Sequence, residues 1–366
     1  MGIEFLERIF DVKILDCTAW LMPAVNRASS RTSFERSNLI QVASLDQFEK
    51  IISSRPGGFA IDYVGPFSVA TVFMLRALKK NGTRTIVVDS GAYPSPDIAF
   101  ENKSLPAKLI DAIRQGMFRR MFEEKCVQWL LRISPDLSPD YALVAGSAWQ
   151  SNPRYRKALN HIPAHSFDYE IYRKHCSTAK DAIEPYAVYL DEMIVGHDNN
   201  LEQGLPEPAS AEAIFPALRS FFDNFESSTG IPVVIAAYPY ANLDSYAADF
   251  GGRKVFKGQT AELVRDSSLV FAHASTSISF AVLWRKPLAF LTSDEICRSW
   301  YQPWIDAPRI LLKAPLYNID AQFPASLAKN WRHLDRHAYL QYEQTYIKGN
   351  DSPDISLWEN FEALAA

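Results

Sequence analysis

A chain of 366 residues, 48% hydrophobic and 22% charged, is long enough for two globular domains and too apolar to be disordered. Its formal net charge of −4 excludes a globally basic surface, so no nucleic-acid partner is expected. No apolar run approaches membrane-span length, and Glu4 and Glu7 stand where a signal peptide would be basic and then apolar, so a cytoplasmic enzyme is expected.

Apolar runs alternate with helix-period segments, the pattern of βα units on a parallel sheet. Residues 12–15 and 59–64 read as strands, 67–80 as a helix and 85–88 as the next strand. A long helix is expected over 106–133, opened by Pro106, whose missing N–H costs nothing in a first turn. A strand at 141–145 ends at Gly146-Ser147. The second series opens with a strand at 187–190 running into Asp191-Glu192, and a polar loop spans 197–208. A helix follows over 210–227, with Ser210 as N-cap and Gly230 just past its end. Next come a strand at 232–237 closed by Tyr238-Pro239, a short extended stretch at 254–257 and a helix at 260–266 capped by Thr260. A strand at 269–273, a helix at 277–284 and a strand at 287–291 complete the set, and 352–366 reads as a helix.

The fold class expected is therefore α/β with two Rossmann-like domains. Residues 1–183 form the first, 184–340 the second, and 341–366 a helical tail able to pack back on the first; the boundary falls near 178–186. Cys17, Cys126, Cys176 and Cys297 lie singly, without CxxC or Cys/His spacing, which predicts neither zinc nor structural disulfides. Thiols packed as small apolar groups are the expectation.

The stretch from Gly258 to Leu288 carries the most chemistry. It reads as a helix, a buried strand, then a hydroxyl-rich turn opening a second helix that ends at Arg285-Lys286-Pro287. Parallel sheets bind ligands at such strand-to-helix turns. Helix-start N–H groups with the hydroxyls of Ser275, Thr276, Ser277 and Ser279 suit a phosphate; ordinary N-capping by the same hydroxyls is the alternative.

The run His273-Ala274-Ser275-Thr276-Ser277-Ile278-Ser279-Phe280-Ala281, followed by Arg285-Lys286-Pro287, resembles the donor-binding half of GT-B glycosyltransferases. It is most similar to the bacterial surface-polysaccharide transferases, sialyltransferase-like and Kdo-transferase-like enzymes among them, over roughly residues 140–295. The resemblance implies two Rossmann-like domains facing across a cleft. It implies transfer of a sugar, a nonulosonic acid or Kdo, from a nucleotide-activated donor to a surface glycan or lipid-linked acceptor. A CMP-sugar is the donor favoured, since the nearest resemblances use CMP-sialic acid or CMP-Kdo. In that group a hydroxyl pair at this turn holds the donor phosphate, and a His-Pro motif one strand earlier contacts the nucleotide. The matching position is Tyr238-Pro239, where a neutral hydroxyl donor replaces an imidazole that can carry charge. His273 joins the expected donor-binding set.

Three segments offer acids and bases. Asp89-Ser90-Gly91 resembles the acidic-acidic-Gly motif of bacterial sialyltransferases, in which an Asp is the general base, with Ser90 in place of one acid. A turn-capping Asp is the alternative. Asp191 and Glu192 point to opposite sides of an extended chain, so one, Asp191 by preference, is expected to enter the cleft, as base or as nucleophile of a double displacement. A loop anchor is the other reading. His197-Asp198 resembles a His-Pro-Asp element of related polysaccharide proteins, interrupted by Asn199. His165 and Asp168 are expected on the acceptor side, against the alternative of a structural histidine. Arg114, Arg119, Arg120 and Lys125, with Met117, Met121 and Trp129, suggest a peripheral contact with an anionic inner-membrane surface; a solvated face interleaved with Glu123 and Glu124 is the alternative.

No GxGxxG follows an early strand, and neither a P-loop nor GxSxG occurs, which disfavours dehydrogenases, common NTPases and α/β-hydrolases. No DxD pair ends a strand, so a metal-independent reaction is expected, with no cofactor beyond the nucleotide-sugar co-substrate. Phosphate charge would be met by backbone dipoles, hydroxyls, and Arg253 or Lys257. The competing readings are a UDP-sugar 2-epimerase or polyol-phosphate transferase of the same fold, and an inactive module that binds glycan or protein.

Overall fold

The computed structural model describes residues 2–21, 36–65, 68–89, 93–94, 96, 118–175, 184–197, 200, 205–239, 241, 243 and 248–361. In the first half the strands are β1 (Ile14–Asp16), β2 (Leu39–Gln41), β3 (Phe59–Ile61), β4 (Arg84–Val88), β5 (Tyr141–Ala145) and β6 (Asn160–Ala164). The second half holds β7 (Ala187–Leu190), β8 (Val233–Ala237), β9 (Val255–Lys257), β10 (Leu269–Ala272), β11 (Leu288–Thr292) and β12 (Leu316–Asn318). Strands β7, β10 and β11 are apolar along their whole length apart from Thr292 and buried at every residue, as strands covered on both faces must be.

The strands form a β1-β2 pair, a β3-β4-β5-β6 sheet and a β12-β11-β10-β7-β8-β9 sheet, with every pairing parallel. Counted from β7, the large sheet runs 3-2-1-4-5-6, the doubly wound nucleotide-binding order, and its direction of winding reverses between β7 and β10. The architecture is α/β, with Rossmann-like parallel sheets in both halves.

Local sequence sets the helices that flank these sheets. Ser68 and Thr71 form a capping box at the start of Val69–Lys80: Ser68 Oγ accepts from Thr71 N at 3.3 Å, and Thr71 Oγ1 from Ser68 N at 3.1 Å. Ala211–Thr229 buries Ile214, Leu218, Phe221, Phe222 and Phe225 on one stripe and stops at Gly230, whose φ of 70° only glycine adopts freely.

Several elements depart from expectation. The strand read over 59–64 ends at Ile61, because Asp62 Oδ1 accepts from Gly65 N and turns the chain. Ser210 holds the N-cap position as expected but makes no side-chain cap bond, its hydroxyl donating to Glu295 instead; Gln259 rather than Thr260 holds the N-cap position of Thr260–Asp266. The long helix is described over Phe118–Arg132, while 106–117, with Arg114 and Met117, lie outside the described residues. So do Cys176, Ser90, Gly91, Asp198, Asn199 and the boundary stretch 178–183. Cys17 is buried, and burial pushes its thiol up to about 11; Cys126 is half-buried and Cys297 exposed.

The region read as a C-terminal helix holds a 3-10 turn, Leu357–Phe361, and residues 362–366 lie outside the described set. Leu357, Trp358 and Phe361 pack with Leu6, Ile86, Leu143 and Ala164 of the first half. Just upstream, Ser147 N donates to Thr345 O and Ser166 N to Ile347 O, both at 2.9 Å, and His165 bridges Lys348. Gly146 permits this approach. Its φ is 60°, and a Cβ there would stand 2.3 Å from the Thr345 carbonyl oxygen.

Candidate functional site

The winding reversal of the large sheet places the ends of β7 and β10 side by side. Asp191 and Glu192 leave β7; His273 and the turn Ala274–Ser277 leave β10. Glu192 Oε1 accepts from Ala274 N at 2.6 Å and from His273 N at 3.2 Å, while Tyr301 Oη donates to Oε2. Burial pushes the Glu192 carboxyl up to about 8; the hydrogen bonds from Tyr301, Ala274 and His273 oppose that, and the Asp191 charge adds to it. A carboxyl that keeps its proton at neutral pH can donate as well as accept. The neighbouring carboxylate of Asp191 accepts from Met193 N at 3.2 Å and from Tyr238 N at 3.4 Å, which ties β7 to the turn after β8.

The acid favoured for the cleft, Asp191, is the one committed to backbone N–H groups of the chain around it. Asp191 anchors its loop, and Glu192 occupies the reversal itself. Met193, with φ 55°, absorbs the sharp turn that separates the two side chains from the loop beyond.

The hydroxyl turn opens the helix Ile278–Leu283. Thr276 is exposed, Ser275 and Ser277 are half-buried, and Ser275 Oγ accepts from Ser277 N at 3.3 Å. Among the described residues, the N–H groups of Ser275 and Thr276 donate to no protein atom. Ser277 holds the N-cap position without making a side-chain cap bond, so capping does not consume these hydroxyls. Ser279 faces inward and is buried.

The remaining donor-side residues spread out. Tyr238 packs its ring on His197 at 4.9 Å, so the expected nucleotide-side and acceptor-side groups meet here; Pro239 is exposed beside them. Lys257 Nζ donates to Ala241 O at 3.0 Å. Arg253 does not face the turn: its guanidinium is held by Glu226 and Asp223, at 2.7 and 2.5 Å. The His273 ring is fully buried, donates from Nδ1 to Leu291 O at 2.8 Å and meets the Tyr189 ring edge-on; burial pushes it down to about 4, so it stays neutral. Its backbone reaches Glu192 while its ring supports β11.

The carboxyl edge of the first sheet meets this site. Asp89, at the end of β4, is 2% exposed; the Tyr155 phenol is raised by burial first and by the nearby Asp89 charge second. Four residues on, Tyr93 Oη donates to Trp304 O of the second half at 3.2 Å, and Glu192 lies within its electrostatic reach. Asp168, in the first turn of Phe167–His175, shares a hydrogen bond with Ser279 across the halves, and burial pushes its carboxyl up to about 7. His165 takes a different place: Nδ1 stands 3.1 Å from Ser166 O and Nε2 2.9 Å from Ile355 O, tying the returning C-terminal segment to β6.

Tyr93 and Tyr301 are the site residues that sequence reading missed. Tyr301 is 109 positions from Glu192 along the chain, so only the fold joins them. Among the described residues, no group of three or more His, Cys, Asp and Glu side chains is placed to hold a metal ion. No described helix is long and apolar enough to cross a membrane.

No family model matches the chain, and no curated protein matches it. Similar solved structures include the S. aureus MnaA–UDP co-structure, with 11% identity, coverage of 96% of this chain and 94% of that one, and a TM-score of 0.49. The UDP-GlcNAc 2-epimerase of Methanocaldococcus jannaschii has 8% identity, 99% and 94% coverage and a TM-score of 0.46. For the glycosyltransferase SnogD of Streptomyces nogalater the values are 12%, 88% and 79%, and 0.41. At such scores the fold rests on strand order and pairing.

Proposed function

We propose that the chain is a metal-independent GT-B glycosyltransferase that moves a sugar from a nucleotide-activated donor to a glycan or lipid-linked acceptor. One observation carries the proposal: the hydroxyl turn Ser275–Ser277, with the N–H groups of Ser275 and Thr276 uncommitted among the described residues, stands beside the acid Glu192 at the winding reversal of a 3-2-1-4-5-6 sheet. The turn would take the donor phosphate. The opposing sheet edge, with Asp89, supplies the acceptor side, and one carboxylate removes the acceptor hydroxyl's proton as the new glycosidic bond forms. Glu192, protonated and hydrogen-bonded to Tyr301, suits protonation of the departing phosphate oxygen. The likeness of His273–Ala281 to sialyltransferase-like and Kdo-transferase-like enzymes supports a CMP-sugar as donor.

Calorimetric titration with CMP, UDP, GDP and CDP tests the first step. Binding of one of them is expected, and Ser275→Ala with Ser277→Ala should weaken it by about 1.5–3 kcal/mol per lost charge-assisted bond. Absence of binding across the panel overturns the proposal. With a donor identified, Asp89→Asn and Asp191→Asn should retain binding while one abolishes turnover; full activity in both removes these two as the base. Turnover without any acceptor would instead indicate an epimerase.

A further inference from the structure

Exposed apolar side chains concentrate on the first half. On the helix Phe118–Arg132 and the residue after it, Phe122, Trp129 and Ile133 are 67%, 60% and 54% exposed. With positions 7 and 11 residues beyond Phe122, and about 100° of rotation per residue, the three fall on one arc of the helix surface. Lys125 and Arg132 fall on the same arc and are exposed. Lys125 touches only Gln128, at 3.5 Å, and neither cation forms an ion pair among the described residues. Glu123 stands about 100° around the axis from Phe122, away from the stripe.

The stripe continues onto the neighbouring helix Val69–Lys80. Phe73 is exposed there, Arg76 lies over its ring at 5.4 Å, and Arg76 also donates to Ser134 Oγ, next to Ile133. Among the described side chains, the face therefore presents three aromatic rings and an isoleucine interleaved with three cations and no carboxylate. On a chain of net charge −4, that composition is local.

We infer that this face docks on the surface of a bilayer containing anionic lipid. Aromatic rings and an aliphatic chain enter the headgroup boundary, and the cations meet lipid phosphates. Charge complementarity selects this occupant over a second copy of the chain, whose identical face would set cation against cation. The inference is independent of the nucleotide chemistry.

Co-sedimentation of the full chain with large unilamellar vesicles tests it. Binding is expected to phosphatidylcholine vesicles containing about a third phosphatidylglycerol, and little to phosphatidylcholine alone, with loss at high salt. Lys125→Gln with Arg132→Gln should weaken binding about twenty-fivefold, from about fivefold per cation. Phe122→Ser with Trp129→Ser should weaken it by about tenfold or more without lowering the melting temperature. Leu340→Ser, at an exposed leucine of the second half, should change nothing. Absence of binding to anionic vesicles overturns the inference, as does equal binding by the wild type and both double variants. Concentration-dependent self-association without vesicles, abolished by the Phe122 and Trp129 changes, also overturns it.

Discussion

The six-stranded sheet of the second half sits in one continuous core reaching from Ala187 to Ile347, whereas the first half divides its buried residues among four smaller clusters. Every residue of β7 and β10 is buried, while β1 and β3 contain none that is. One half places its strand ends rigidly, as a site built on converging backbone and carboxyl groups demands. The other half completes its cores with segments from elsewhere, such as Trp358, and leaves aromatic rings at its surface.

The strongest way to break this comparison is to remove the same side chain from both cores. Phe271, fully buried among Phe221, Phe222 and Phe225, should cost about 3–5 kcal/mol when replaced by alanine. Phe48→Ala, in a cluster whose lining is largely half-buried, should cost about half as much, because that site collapses more readily. Equal losses in urea unfolding would dissolve the distinction.

A pH series sharpens it. The folded Glu192 carboxyl, at about 8, lies above its ordinary 4.5, so the native state holds a proton that the unfolded chain has released. Wild-type stability from this group is therefore full below about 4.5, falls as pH rises to about 8, and is level beyond. His273 acts oppositely: its folded value of about 4 lies below 6.5, so its contribution rises over that interval. Glu192→Gln removes the fall alone. Its stability relative to wild type should rise between pH 5 and pH 8 by an amount on the order of 2–3 kcal/mol, the group being partly screened by solvent. A flat difference across that range would show Glu192 ionised at neutral pH.

Glycine substitutions give the smallest contrast. Gly146→Ala should lose about 2–3 kcal/mol, from a left-handed backbone and collision with the Thr345 carbonyl. Gly230→Ala has the same handedness and open space, so about 1 kcal/mol is expected. If both lose the same amount, the crossing segment yields to the new methyl group.

The same comparison explains what the sequence made legible. In the second half, β7, β8, β10 and β11 are apolar runs closed by turn residues, and their order follows from alternation with helices. In the first half, β2 is three residues long, too short for any period, and β6 reads Asn-His-Ile-Pro-Ala, whose polar start and Pro163 disguise an edge strand. Asp191, Glu192 and Ser275 were visible because they follow strands. The burial of the His273 ring was not, since it depends on β11 lying alongside, and neither were the Asp168–Ser279 contact and the Glu192–Tyr301 pair. Arg253 was misleading: its partners Asp223 and Glu226 come from a helix nearly thirty residues earlier.

The chain passes between its halves twice, once after the helix Phe167–His175 and again where Thr345, Ile347 and Lys348 bond to Ser147, Ser166 and His165. Between these passages the Asp168–Ser279 and Tyr93–Trp304 hydrogen bonds and the Tyr172–Trp284 ring contact also join the halves, so any movement that parts them must break several contacts at once.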